Sequence, residues 1–206
     1  ADSSGYANHA VCSGTACPLA GVTGTVKTAI GFDGVNDYLT IPVSGSLKPQ
    51  NVFSVEMWIN PNSAAKTWTW QTLMLNPLSF GLRLMPNGKL RGDIYNDDLK
   101  QSVYIYSIAG AINYDNWNHV AMTYDGTNIK LYINGMLVKT VASTGKLNTT
   151  STIPIYLGKY ANNEAVRQGA TQRIDDMQGF VPQRELIKAK QEQSQGNQPL
   201  FVFQSG

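Results

Sequence analysis

Two aspartates, Asp175 and Asp176, stand side by side in "QRIDDMQG", a run that otherwise alternates like a strand. Adjacent carboxylates suggest an acid/base pair, a metal site or a solvated edge. Cleavage of a glycosidic bond needs two carboxylates about 5–9 Å apart, flanking the bond. Along a strand that spacing comes from residues two or four apart, which share a face, whereas neighbours point to opposite faces. The doublet therefore cannot act as a pair on one substrate. None of the four glutamates, Glu56, Glu164, Glu185 and Glu192, has an acidic residue two or four positions away. Asp93 and Asp97 fall in "DIYNDD", which reads as a solvated loop.

Nucleophilic chemistry is no better provided for. A triad needs a histidine between a nucleophile and a carboxylate. His119 lies in "WNHVAMTY" with Trp117 and Ala121 on its face, the pattern of a packed strand histidine. His9 sits in a Gly/Ser-rich stretch with no nucleophile signature. The glycines of "GVTGTVKTAIGFDG" match neither phosphate-cradling motif. No catalytic constellation emerges, and the chain is read as a non-enzyme.

Binding chemistry has more to work with. Sugars are held by aromatic rings stacked on pyranose faces and by hydrogen bonds from Asn, Asp and Arg. "KTWTWQ" sets Trp68 and Trp70 on one face of a possible strand, and "VYIYS" does the same with Tyr104 and Tyr106. "RGDIYND" adds Arg91, Asp93, Tyr95 and Asn96, its Arg-Gly-Asp triplet being a coincidence of composition. The competing reading of each ring is core filling or cross-strand pairing. Cys12 and Cys17, in "VCSGTACP", are the only cysteines. The four residues between them and the lack of histidines beyond His9 and His119 argue against zinc. A disulfide closing a short loop is expected, which places the chain outside a reducing cytosol.

The elements that must carry these residues are strands. "WNHVAMTYDGTNIKLYINGMLVKTVA" holds three alternating runs divided by Asp125-Gly126 and Asn134-Gly135, both of which favour tight antiparallel turns. Ile129, Leu131 and Ile133 share one face of the middle run, and Phe53, Val55, Met57 and Ile59 share one face of "FSVEMWIN". "GLRLMPNGKLRGDIY" reads as a hairpin about Asn87-Gly88, and "SVYIYSI" and "IPIYLGKY" add strands. About a dozen short strands without a βαβ rhythm predict an all-β sandwich or barrel. One helix is expected, from Pro182 to Gln193, followed by a linker and an apolar tail.

Composition bounds the function. The 206 residues are 42% hydrophobic but only 15% charged, with a net charge of +2 and no basic stripe for nucleic acid. No apolar run reaches the ~20 residues of a membrane span.

In order along the chain, "DSSGYANHA", "AIGFDGVNDYLTIP", "FSVEMWINP", "DNWNHVAMTYDGTNIKLYINGMLV", "IYLGKY" and "IDDM" resemble the laminin G-like domains of the concanavalin A-like superfamily. The likeness is closest to the bacterial secreted and cell-surface branch. It implies a jelly-roll β-sandwich of two antiparallel sheets, with the first and last strands together. It also implies one structural calcium ion, held by Asp2, the Gly34 carbonyl and Asp175, with Asp176 turned away. Calcium takes six to eight oxygens, so ligands from distant segments suit it. The chain departs from the family after "IDD", where Gly179 interrupts the strand and the helix start is rewritten.

The expectation is one jelly-roll unit over residues 1–193, with a linker and apolar tail over 194–206 able to add an edge strand. Its role is that of a non-catalytic extracellular module, secreted or at the cell surface, binding carbohydrate or a surface protein. The alternative of another class is a structural or adhesion domain that self-associates through a sheet edge or its tail; a glycoside hydrolase ranks below both.

Overall fold

Alternation of apolar and polar residues, at a period of two, marks the central described strands, such as Phe53–Pro61, Leu90–Asn96 and Asn128–Ile133. The computed structural model describes residues 2, 4–25, 28–49, 51–63 and 70–160, together with the backbone of a strand over 172–179. Among the described residues thirteen strands form two antiparallel sheets. They are β1 (Leu19–Thr23), β2 (Thr28–Gly31), β3 (Leu39–Ile41), β4 (Phe53–Pro61), β5 (Gln71–Asn76), β6 (Phe80–Leu84), β7 (Leu90–Asn96), β8 (Gln101–Tyr106), β9 (Asn118–Tyr124), β10 (Asn128–Ile133), β11 (Met136–Ala142), β12 (Ile155–Leu157) and β13 (Gln172–Gly179). One sheet runs β1-β2-β13-β4-β9-β10-β11 and the other β3-β12-β5-β6-β7-β8. This is the jelly-roll sandwich that the family resemblance implies, and one of the two all-β forms that the strand pattern allows.

The inner faces interlock. Phe53, Val55, Met57 and Ile59 of β4 are buried, as are Ile129, Leu131 and Ile133 of β10. They meet Phe80, Leu82 and Leu84 of β6 and Leu90 and Ile94 of β7 from the opposite sheet. Phe53 packs on Phe80 with ring centroids 5.0 Å apart. The sheets approach so closely at Gly92 that a Cβ there would lie 2.4 Å from the Met122 sulfur.

The turns follow their sequences. Asn134 and Gly135 link β10 to β11 with φ of 49° and 80°, the paired positive values of a two-residue hairpin turn. Asp125 organises the turn from β9 to β10: its Oδ1 accepts the Thr127 and Asn128 amides and the Thr127 hydroxyl, and its Oδ2 accepts Lys130 Nζ. Cys12 and Cys17 are joined in a disulfide around the short 3-10 turn Gly14–Ala16.

The last strand lies beside the first hairpin. β13 sits between β2 and β4, with Ile174 opposite Ile30 and Asp175 opposite Trp58. "DIYNDD" is not a loop throughout: Asp93 to Asn96 belong to β7, because Ile94 is drawn into the core and carries its neighbours into the sheet. The expected helix from Pro182 to Gln193, the 194–206 tail and Trp68 lie outside the described residues.

Candidate functional site

The outer face of the six-stranded sheet gathers most of the residues expected to bind. In β6 and β7 the apolar residues Leu82, Leu84, Leu90 and Ile94 turn inward, so Arg83, Arg91 and Asp93 turn outward. Strand register then sets two rows across the face. In one, Thr72, Arg83, Arg91 and Tyr106 stand opposite one another in turn; in the next, Leu75, Gly81, Asp93 and Tyr104 do. Among the described residues Asp93 is the one acid in these rows.

That acid is shared. Asp93 Oδ1 lies 3.1 Å from Arg83 Nη1 and 3.2 Å from Arg91 Nε. Its carboxylate leans over Gly81, where a Cβ would sit 3.0 Å from Oδ2. Glycine at 81 thus leaves the space in which the carboxylate joins two guanidiniums. Arg83, Arg91 and Asp93 are 6%, 7% and 8% exposed, which is unusual for an outward sheet face.

Rings cover them. The Arg91 guanidinium carbon is 4.2 Å from the Tyr104 ring centroid, 4.6 Å from Trp70 and 5.9 Å from Tyr106. Arg83 lies 5.0 Å from Tyr160. Each such contact contributes about 0.5–2 kcal/mol, more where water is excluded. The rings remain open to solvent on their other sides: Trp70 is 42% exposed, Tyr104 46%, Tyr160 41% and Tyr106 36%. A buried ionic layer thus carries a set of half-exposed aromatic rings. Lysines flank the set, with Lys89 Nζ 5.9 Å from Tyr106 and Lys159 Nζ 4.3 Å from Tyr38.

The structure therefore brings together Trp70, Tyr104, Tyr106, Arg91 and Asp93, as sequence spacing suggests for the two tyrosines. The Arg-Gly-Asp triplet is part of β7, with both charged side chains buried. Sequence reading missed Arg83, Tyr160, Lys89 and Lys159. Arg83 was within reach, because a hairpin centred on Asn87-Gly88 sets residue 83 against residue 91.

The expected calcium ligands belong to three separate segments of the chain. Asp2 is engaged in its own loop, accepting the Ser4 amide, the Ser4 hydroxyl and the Asn8 amide. Burial raises its pKa, but these donors and the His9 charge outweigh that and hold it below the usual carboxylate value. Asn8 in turn bonds Ser46, and Val11 bridges to Thr40 at the edge of the six-stranded sheet. Gly34 takes φ 79° in a turn whose Asp33 accepts the Val35, Asn36 and Asp37 amides. Asp175 is in β13 of the other sheet, its side chain outside the described residues. Among the described residues no group of three His, Cys, Asp or Glu side chains could hold a metal ion.

On the outer face of the seven-stranded sheet, His119 Nε2 lies 3.4 Å from Glu56 Oε2, and its ring stands 5.3 Å from Trp58. The histidine is packed against its cross-strand neighbours on β4, as its sequence context suggests.

A laminin G family model, described as the concanavalin A-like lectin/glucanases superfamily, matches residues 33–180. No curated protein sequence matches the chain significantly. Solved structures of similar fold include the binding domain of Paraclostridial mosquitocidal protein 1, at 16% identity and a TM-score of 0.70, covering 91% of this chain and 48% of that one. The binding domain of botulinum neurotoxin DC in complex with SialylT matches at 17% identity and 0.64, covering 88% and 45%. The Ruminococcus gnavus IT-sialidase CBM40 bound to α2,3-sialyllactose matches at 17% and 0.57, covering 72% and 95%. The chain spans about half the length of the two toxin domains. No described helix is long and apolar enough to cross a membrane. With two antiparallel sheets closed on one apolar core and a family match over most of its length, the chain belongs to the concanavalin A-like lectin/glucanases superfamily, as a laminin G-type domain.

Proposed function

We propose that the chain is a non-catalytic glycan-binding module working outside a reducing cytosol, and that it binds on the outer face of the six-stranded sheet. One observation carries this reading: Trp70, Tyr104, Tyr106 and Tyr160 are held over buried cations with their outer sides open. A free aromatic ring loses freedom when it stacks on a sugar; a ring already clamped from beneath has met that cost in folding. Two proteins of similar fold carry sialylated ligands, which accords with a sugar as the ligand class. The disulfide accords with the extracellular setting.

The test is affinity electrophoresis against a polysaccharide panel, with Trp70→Ala and Tyr104→Ala beside the unaltered chain. Each variant is expected to lose about tenfold or more in retention, roughly 1.4 kcal/mol, with little change in melting temperature. Full retention by both variants would remove the face from consideration.

A structural calcium ion at Asp2, Gly34 and Asp175 enters this reading from the family resemblance alone. If it binds, a chelator lowers the melting temperature, because an ion held only by the folded state adds stability. Superimposable curves with and without chelator would dispose of it.

A further inference from the structure

Charge on the ring-bearing face is lopsided in a way the rest of the chain is not. The whole sequence nearly balances, with 16 basic and 14 acidic residues. Ion pairs elsewhere match one cation to one acid, as Lys130 does with Asp125 and Lys100 with Asp97. On this face Arg83, Arg91, Lys89 and Lys159 stand among the rings, and Asp93 is the one acid of the two rows among the described residues. A guanidinium has five N–H donors, and one carboxylate offers about four acceptor sites. Asp93 therefore cannot satisfy both arginines, and Arg83 Nε is buried with no hydrogen-bond partner. Two guanidiniums directly across a strand pair also repel, an arrangement that costs stability unless something else needs it.

The cations are also spread out. Lys159 lies by Tyr38 and Tyr156 at the β3–β12 side, and Lys89 lies by Tyr106 at the β8 side. Six strands span five gaps of about 4.8 Å, so the face is roughly 24 Å across, room for several sugar rings in a row.

Resting on the glycan-binding reading above, we infer that the ligand is an anionic glycan chain, laid across the strands from the Lys159 side to the Lys89 side. Its pyranose faces stack on the exposed rings. Its carboxylate or sulfate groups meet the lysines at either end and the net positive charge left beneath the rings by two arginines and one aspartate. A neutral sugar would use the rings but leave that charge unanswered.

The experiment compares polygalacturonate with its fully methyl-esterified form, which keeps the rings and removes the charge. Dextran sulfate and neutral dextran report on sulfate in the same way, and a single-stranded oligonucleotide serves as a non-glycan polyanion. Expected is binding to polygalacturonate, to dextran sulfate or to both, at least tenfold tighter than to the uncharged partner and weakening as salt rises. Whichever charged glycan binds identifies the anionic group. Lys89→Gln and Lys159→Gln together are expected to weaken binding about tenfold and flatten its salt dependence. Both side chains lie outside the buried layer, so this variant tests the idea even if Arg91→Gln fails to fold. Equal binding to the methyl ester or to neutral dextran overturns the inference while leaving a glycan module intact. Oligonucleotide binding as tight as that of the charged glycans overturns it in favour of a nucleic-acid ligand, since stacking over cations also suits bases. Failure to bind any glycan, with the melting curve intact, refutes the module reading itself.

Discussion

Arg83 and Arg91 stand opposite each other on neighbouring strands, in a layer where neither residue is more than 7% exposed. Burying like charges is tolerable here because Asp93 contacts both, Gly81 leaves room for its carboxylate, and Trp70, Tyr104 and Tyr160 place ring faces against the guanidiniums. The carboxylate is the component without a substitute. Replacing Asp93 by Asn keeps the shape but removes the one negative charge, leaving two buried cations uncompensated. Breaking a buried pair in this way costs about 3–5 kcal/mol. Urea denaturation of Asp93→Asn should show a loss of this size, whereas Tyr104→Ala, at a half-exposed ring, should cost about 1 kcal/mol or less. A stable Asp93→Asn protein would mean that the arginines find acceptors elsewhere and that the layer is not held as described.

At the scale of elements, the hairpins explain what was legible. Asn134-Gly135 and Asn87-Gly88 supply backbone conformations that few other residues adopt cheaply, so turns and registers could be read directly. From those registers the outward placement of Arg91, Tyr104 and Tyr106 follows by counting in twos. The turn at Asp125 was legible as a position but not as a network. Burial raises the Asp125 pKa, yet Lys130 and the donors of Thr127 and Asn128 prevail and hold it far below its ordinary value. The stability this contributes is present above the unfolded value and lost as pH falls toward the folded one. Trp70 was named from the spacing of "KTWTWQ", although it arrives from just ahead of β5; what local pattern could not give is the arrival of Tyr160 from beyond β12, because a single ring in a connecting segment carries no period. "DIYNDD" misled for a related reason: its polar composition resembles a loop, but core burial of Ile94 outweighs composition. β11 shows another limit, since Met136, Leu137 and Val138 are exposed on the outermost strand although they belong to a run read as alternating. Lys139, following them, is a charge of the kind that discourages edge-to-edge pairing.

For the whole molecule, the decisive element is the strand that arrives last. Among the described strands β13 is the only link between the β1–β2 hairpin and the rest of its sheet, pairing through Ile174 to Ile30 on one side and from Gln172 to Gly179 along β4 on the other. No local signal announces this, because the partners lie at opposite ends of the chain; only likeness to a known family suggested it. Without β13 the hairpin is a lone two-stranded ribbon, marginal in water, and β4 presents an unpaired edge over the core. Ala29 and Phe32, buried at and just after β2, belong to the segment that would be left without this strand partner. A chain ending at Tyr160 is therefore expected to lose its cooperative thermal transition or to aggregate, while one ending at Gln193 should melt within about 2 °C of the full chain. The second expectation tests the boundary drawn at residue 193, and calorimetry of the two truncations reads both. A sharp, unshifted transition in the shorter chain would mean that twelve strands close the sandwich unaided, and that β13 is an addition to the sheet rather than its keystone.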